Sequence, residues 1–359
     1  MLQNQGPLSR EASIARLTRR INELELAVVA ESARWGRTGP PYKKSHWDSA
    51  VEELQVIIRS RSGPVIGQLI RAKRYKQGMP NDEIIAAPLY PEMGTPEMDP
   101  ASGYFPLDSS VTVLSRIGDV FVTVDGSDPK MPDGSVSPKA TKIEEGSTAT
   151  FTLSESYTKL SARRRVGEDW SFLATEHYKC DVVPANMNNV TISEFMYHPS
   201  DPSSAETEAG FDRSGEFEFV EILNTSESSV DLARSAFVLG IQFEFAHGPG
   251  SILSPGERTV LARNRDAFRL RYTNDTNVAG QFKGKISDDG EMIQFVDASG
   301  IDLCRFAYSD RGKWSKKAGG AGHSLVQASS TSNQNLSNPN TWKLSKLEGG
   351  SPGRPETSD

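Results

Sequence analysis

VTISEFMYHP, residues 190–199, and EFEFVEILN, residues 216–224, each set glutamates among β-branched and aromatic residues. Both read as strands, and the fold turns on how their side chains divide between faces. In the first, Glu194 follows Ile192 by two positions, so alternation places it on the apolar side and predicts a buried carboxylate. In the second, alternation is read as setting Glu216, Glu218 and Glu221 on one face, opposite the phenylalanines and Val220. Such a row is either the solvated face of a strand or a set of hard oxygens able to hold Ca²⁺ or a sugar hydroxyl. A buried glutamate satisfies backbone donors instead, because leaving it unpaired is costly.

Working outward, the same signature continues through FVLGIQFEF, RTVLARN, EMIQFVDA and LCRFAYS, separated by the turns NTSESSVDL, LSPGE, SDDGE and DASGI. Pro255-Gly256 fits a type II turn and Asp289-Gly290 a type I′ turn. RNRDAFRLRY, with Phe268, Leu270 and Tyr272, predicts one helical insertion. The polar run from Ser329 onward reads as a surface loop, and Trp342 with the GGSPG of Gly349 to Gly353 as a segment folding back over a sheet edge.

An earlier group of strands, SSVTVLS, DVFVTVD, ATFTLSE and YTKLSARRRV, predicts a second small β-sandwich. Its most distinctive stretch is FVTVDGSDPKMPDGSVSP, residues 121–138, in which Asp125, Asp128 and Asp133 are the candidate Ca²⁺ ligands. Two prolines break the ligand spacing of a helix–loop–helix calcium loop. The same aspartates suit three successive turns, Asp125-Gly126, Asp128-Pro129 and Asp133-Gly134, and the expected metal content is none.

Before Gly78 the period is helical. Ile14, Leu17, Ile21, Leu24 and Val28 share one face; Trp47, Val51, Leu54 and Ile58 line another behind Ser45 as N-cap; a third helix is expected from Val65 to about Gly78. Three such helices need a partner surface to bury their stripes. Residues 80–106 hold six prolines and read as an extended linker or entering edge strand. The fold class is therefore mainly β: two immunoglobulin-like β-sandwich domains preceded by a short α-helical segment. The divisions expected are residues 1–80, 81–183, 184–328 and a polar tail, 329–359.

Charge limits the partners. Residues 1–80 carry 14 Lys/Arg against 7 Asp/Glu, whereas the remainder carries 26 against 40. That acidic remainder excludes a phosphate-backbone grip there, and RAKRYK, residues 71–76, reads as the cationic last turn of a helix, so no nucleic-acid partner is expected. No apolar run reaches the roughly 20 residues of a spanning helix. The N-terminal residues lack the apolar core of a secretory signal. Cys180 and Cys304 are too few for a disulfide framework and lack paired metal-ligand spacing.

Catalytic patterns are weak. GQFKGK, residues 280–285, is one residue short of a phosphate-cradling loop and reads as a strand-edge turn. His46, His177, His198, His247 and His323 are scattered, and neither a G-x-S-x-G elbow nor an H-E-x-x-H pair occurs. Trp170, Tyr178, Tyr197 and Trp314 read as core aromatics in preference to a sugar-stacking platform. The expectation is no catalytic residue and no cofactor.

Three resemblances add to this reading. ESARWG, residues 31–36, followed by PYKKSHWDSAVEELQVIIRSRSGPVIGQLIRAKRY, residues 41–75, resembles the C-terminal helices of the spore-coat-protein-H kinase-like family. That family's catalytic motifs lie upstream of this tail, so no kinase residue carries over and the resemblance implies an N-terminal truncation. FVTVDGSDP resembles the Y-x-x-D-G-S-D-P signature of chitobiase C-terminal-like β-domains, departing where Phe and Val replace tyrosines, and SVSPKA and TKLSARRRVGEDWS continue it over about residues 86–180. VTISEFMYHP, EFEFVEILN, LSPGERTVLARNRDAF and GHSLV resemble the lamin-tail domain over about residues 188–327, with Trp342 to Gly353 as its usual trailing segment. Together they imply a noncatalytic surface module of a multidomain bacterial protein, extracellular or on the cell envelope, with an unknown protein or polysaccharide ligand. The other reading is the accessory half of a spore-coat-H-like protein kinase.

Overall fold

A computed structural model of the chain describes residues 10–35, 43–61, 64–65, 67–68, 74–75, 84–85, 93–272, 276–315 and 317–356. The chain divides into two compact units, Met1–Asp181 and Val182–Asp359. The architecture is mainly β with a short N-terminal helical segment, as the periodicity predicts.

In the first unit two helices, Arg10–Trp35 and Lys44–Ser60, precede the sheets. The second begins one residue before Ser45: Lys43 is its N-cap and makes no side-chain cap bond, while Lys44 Nζ reaches Asp48 one turn on, at 2.5 Å. No residue of that helix is buried. The expected third helix does not extend to Gly78, because Arg74–Tyr75 pairs antiparallel with Ile84–Ile85. The rest of RAKRYK and most of residues 80–92 lie outside the described residues.

The sandwich that follows packs a small sheet, Met98–Asp99, Ser110–Leu114 and Thr148–Thr152, against a larger one. The larger sheet runs in the order Gly103–Phe105, Ala174–Cys180, Tyr157–Val166, Asp119–Thr123, Thr141–Ile143. Ser110–Leu114 alternates as its sequence does, burying Val111 and Val113. These close against Val120, Val122, Leu153, Leu160 and Tyr178. Each such side chain contributes roughly 1.5–3 kcal/mol when fully buried.

The second unit is built on a six-stranded sheet ordered Val278–Gln281, Arg258–Ala262, Phe219–Asn224, Val190–Met196, Leu325–Gln327, Trp342–Leu344. A five-stranded sheet stands opposite: Lys283–Gly284, Ile241–Glu244, Ala236–Leu239, Met292–Val296, Asp302–Ala307. Between them lies the main core, with Ile192, Phe195, Tyr197, Val220, Ile222, Phe237, Phe295 and Phe306. Trp342 joins that core and donates its indole N–H to the Leu336 carbonyl at 2.8 Å. The segment after Ser329 thus supplies the last strand of the sheet. On the sheet's outer face the helix Arg265–Arg271, capped by Asn264, lays Phe268 over Phe219 and Met196. Leu270 points to solvent, so the predicted insertion forms with Phe268 and Tyr272, one turn apart, as its contact face.

Candidate functional site

The outer face of the six-stranded sheet carries the only paired carboxylates among the described residues that are both deeply buried and set face to face. Their placement corrects the alternation argument in two ways. The register of Val190–Met196 against Phe219–Asn224 shifts between Ile192 and Glu194, a β-bulge with one extra residue. Ile192 therefore points into the main core, Phe195 and Tyr197 resume that direction, and Glu194 turns outward beside Ser193. Glu194 is still buried, but by a covering segment on the outer face and not by the apolar core. The second correction concerns EFEFVE. Residues Ser214–Phe217 form a 3-10 helix and the strand begins only at Phe219, so Glu216, Glu218 and Glu221 share no face. Odd and even numbering alone separates Glu221 from the other two.

Glu194 and Glu221 are directly opposed across the two strands. All four of their oxygens accept hydrogen bonds from this chain. Glu194 Oε1 accepts from Ser324 Oγ at 2.5 Å and from the Ser351 amide at 2.9 Å, and its Oε2 from Ser351 Oγ at 3.1 Å. Glu221 Oε1 accepts from Ser193 Oγ at 2.5 Å and lies 3.2 Å from Arg258 Nε; its Oε2 accepts from the Gly353 amide at 2.6 Å. The donors Ser351 and Gly353 belong to GGSPG, which the sequence marks as a covering segment without saying what it covers.

Residues 345–356 form a strap across this face. Tyr272 Oη donates to the Gly349 carbonyl at 2.8 Å, and the Gly349 amide to the Gly322 carbonyl at 2.7 Å. The Ser345 amide bonds the Ser324 carbonyl at 3.0 Å. Gly350 has φ +82°, and a Cβ there would run into Glu194 Oε1 and Ser324 Oγ, so glycine is required for the strap to reach the carboxylate.

Burial is the largest influence on both acids, and the facing carboxylate adds to it at Glu221. The serine, amide and Arg258 contacts oppose this without cancelling it. The pair is pushed up from ordinary carboxylate values, burial and the facing charge both disfavouring full ionisation. Glu194 and Glu221 themselves line a cavity of about 200 Å³, together with Arg258, Lys343, Arg354 and Glu356.

Three other glutamates have separate tasks. Glu218 accepts from Arg263 Nη1 at 2.6 Å and the Ile286 amide at 2.7 Å, and burial pushes it up to about 7. Glu206 takes both Nε and Nη2 of Arg271, at 2.8 and 3.0 Å, while that guanidinium lies 3.4 Å from the Phe217 ring centre. Arg271 holds Glu206 down at about 2. Glu216 accepts from Asn264 Nδ2 at 3.2 Å.

In the first unit the three aspartates close turns. Asp125 Oδ1 accepts from the Ser127 amide at 3.0 Å, with Oδ2 on Lys139 Nζ at 2.8 Å. Asp128 clamps Arg163 at 2.6 and 2.7 Å, and Asp133 Oδ1 accepts from the Ser135 amide at 2.9 Å. Among the described residues no three His, Cys, Asp or Glu side chains are grouped to hold a metal ion. His177 bonds Tyr157 Oη at 2.6 Å and His323 the Ser345 carbonyl at 2.9 Å, so these rings serve different places. Tyr178 and Tyr197 are buried, and Trp314 packs against the main core. GQFKGK spans two strand ends, and Phe243 packs so closely against Gly280 that a Cβ there would collide with its ring.

The second unit is thus an immunoglobulin-like sandwich closed by its own C-terminal strap. Residues 184–310 match the family model described as Lamin Tail Domain. The match ends before the strands Leu325–Gln327 and Trp342–Leu344, which complete the same sheet. Comparison with curated proteins gives no match. Among solved structures, the chain is similar to the YadV chaperone at 9% identity and TM-score 0.27, over 60% of this chain and 100% of that one. It is also similar to a DUF4876 family protein from Bacteroides thetaiotaomicron at 14% identity and TM-score 0.17, over 45% of this chain and 47% of that one.

Proposed function

We propose that this chain is a noncatalytic binding or structural module of a multidomain bacterial surface protein, engaging a protein or polysaccharide outside the cell. One observation carries the noncatalytic part: the buried carboxylate pair spends every oxygen on serine hydroxyls, strap amides and Arg258. Acid–base catalysis by paired carboxylates requires oxygens left free to meet a substrate, and in the cavity that both acids line these oxygens are already engaged. Here the groups with shifted proton affinity hold the chain to itself. The lamin-tail match over residues 184–310 supports the same reading, as does the resemblance of residues 86–180 to chitobiase C-terminal-like domains, which are usually accessory, and the surface setting rests on the resemblance of residues 31–75 to the spore-coat-H kinase-like tail. No helix among the described residues is long and apolar enough to cross a membrane.

The test is sedimentation of the purified chain with isolated bacterial envelopes and with purified envelope polysaccharides. Saturable co-sedimentation is the expected result. Absence of binding together with hydrolysis or phosphorylation of an offered substrate overturns the reading.

A second reading rests on the helical pair. Leu24, Leu26, Val29, Leu54, Val56 and Ile57 are exposed on these two helices, apolar side chains that a further domain would cover. This suits an accessory role beside a spore-coat-H-like kinase domain. Genomic sequence upstream that lacks an in-frame kinase-like segment would remove it.

A further inference from the structure

The small sheet of the first unit leaves one edge open. Its strand Thr148–Thr152 pairs antiparallel with Ser110–Leu114 and with no other strand among the described residues. The Leu153 amide donates to the Ser109 carbonyl at 2.8 Å and the Ser115 amide to the Ser147 carbonyl at 3.0 Å, which sets the alternation of the ladder. Ala149 and Phe151 therefore turn their main chains toward Ser110–Leu114, and Thr148, Thr150 and Thr152 present theirs at the free edge. All three threonines are exposed. Ala149 and Phe151 are half-buried and pack against the core that holds Val111 and Val113.

An exposed edge is ordinarily blunted by charge, proline, a bulge or shortness. Other edge strands of this chain follow that rule. Asp302–Ala307 carries Asp302 and Arg305, Val182–Pro184 ends in proline, and Thr141–Ile143 and Trp342–Leu344 are three residues long, each with a lysine. TATFT has none of these guards: it is five residues long, uncharged, without proline and in unbroken register.

Charge stands around this strand and not on it. Glu145 before it and Glu155 after it are exposed. Asp108 is exposed where its amide bonds the Leu153 carbonyl, and Glu97 and Asp99 are exposed at the opposite edge of the same sheet. In the segments that bracket the two paired strands the cations are Lys142 and Arg116. Lys142 is shared by Asp119 and Glu144, at 3.0 and 3.6 Å, so the surroundings of the edge are acidic.

We propose that the edge Thr148–Thr152 captures an extended polypeptide segment of a partner as an added strand, one that alternates apolar and hydroxyl side chains and carries lysine or arginine at its ends. The free amides and carbonyls of the three threonines supply the ladder. Apolar residues of the added strand lie beside Ala149 and Phe151 and prolong the inner face; hydroxyl residues meet the exposed threonines, a favourable cross-strand pairing. Its basic ends meet Glu145 and Glu155, complementary charge that fixes register. The same acids oppose a second copy of this chain. Antiparallel self-pairing centred on Thr150 brings the Glu145 end of each copy against the Glu155 end of the other, like charge against like.

The inference rests on the binding role proposed above for the existence of a protein partner, and adds where that partner docks and what its segment is made of. Its test uses neither envelopes nor polysaccharides, so a failure here leaves the co-sedimentation result standing.

Hydrogen exchange of the full chain, read amide by amide, is followed with a synthetic peptide of alternating valine and threonine closed by a lysine at each end. Without peptide, the Ala149 and Phe151 amides are expected to be protected and those of Thr148, Thr150 and Thr152 to exchange freely. With peptide at about ten times its Kd, the three threonine amides should slow about tenfold. A peptide ending in glutamates should leave them unchanged. Thr150→Pro removes an edge amide that the chain's own ladder does not use, so the sandwich should persist while the peptide no longer protects Thr148 and Thr152. Should that variant fail to fold, the double change Glu145→Lys and Glu155→Lys is the second: the lysine peptide should bind about tenfold more weakly and the glutamate peptide in its place. Four outcomes overturn the proposal. They are free exchange of the threonine amides at every concentration of the lysine peptide, equal protection by both peptides, undiminished protection in a folded proline variant, and protection that rises with chain concentration without peptide, which would assign the edge to a second copy.

Discussion

Glu194 and Glu221 are directly paired across antiparallel strands, each about 1% exposed, and Arg258 Nε sits 3.2 Å from Glu221 Oε1 alone. The cation makes a lone ionised Glu221 tolerable at the sheet surface. Arg258→Ala removes it and leaves a buried acid without its partner, a change that typically costs about 3–5 kcal/mol when the acid stays charged. Glu221 can instead take a proton, because burial and Glu194 already favour that form. Urea unfolding of Arg258→Ala should therefore show a loss of about 3 kcal/mol at pH 9 and clearly less at pH 6. Equal losses at both values would mean that Arg258 acts by packing.

Gly350 gives a purely steric way to remove the strap. Gly350→Ala places a side chain at φ +82° and into Glu194 Oε1. The left-handed backbone alone costs about 1–2 kcal/mol for an L-residue, and the collision adds to it. Because the strap lies across the outer face of the sheet and forms no part of its core, the expected result is increased tryptic cleavage after Lys346 with retention of the sandwich. The outcome is read by mass spectrometry together with near-ultraviolet circular dichroism. Unchanged cleavage would show that the strap is not held where Glu194 lies.

Which parts of this arrangement were legible beforehand depends on what the sequence pattern encodes. Strand existence was, because Val111 and Val113 or Val220 and Ile222 alternate with polar or outward-facing neighbours and two-residue periods survive any tertiary context. The direction of Glu194 was not. One unpaired residue at the bulge reverses the count, and nothing in SEF distinguishes a bulged strand from a regular one. The 3-10 turn at Ser214–Phe217 likewise hid behind residues that favour strands, its Glu216 being occupied with Asn264 from a distant loop. Ser193, Arg258 and Ser324 reach the acids from three separate strands or loops, so only the topology joins them. GGSPG was the visible signal: two adjacent glycines and a proline after the last tryptophan mark a chain that must lie flat against something.

The aspartates of FVTVDGSDPKMPDGSVSP bear on calcium. A cation at this loop would have to displace Lys139 from Asp125 and Arg163 from Asp128, both already within 2.8 Å of carboxylate oxygens. Lys139 and the Ser127 contacts hold Asp125 well below the usual carboxylate range, so these charges are satisfied by the chain itself. The expected outcome of a calorimetric Ca²⁺ titration is no binding heat, with an unchanged melting temperature in chelator. A Ca²⁺-dependent rise in melting temperature that Asp128→Asn abolishes would establish a metal loop instead.

The acid limb of stability should belong to Glu206. Arg271 grips both its oxygens and lies over Phe217, tying the short helix Ser204–Glu208 to the helix Arg265–Arg271. Its folded value is depressed from 4.5 to about 2, so the stability it contributes is fully present above 4.5 and disappears as pH falls through about 2. The direction is opposite to that of the Glu194–Glu221 pair, whose contribution fades on the alkaline side. Glu206→Gln keeps the side-chain size and the Ser203 cap geometry while removing the charge that Arg271 needs. At pH 7 the variant should lose about 2 kcal/mol, the scale of a hydrogen bond to a charged group. Melting curves of wild type and variant should converge as pH approaches 2, where the wild-type acid is itself protonated. A constant gap from pH 7 to pH 2 would assign the loss to amide packing and remove the ion pair from the account of acid stability.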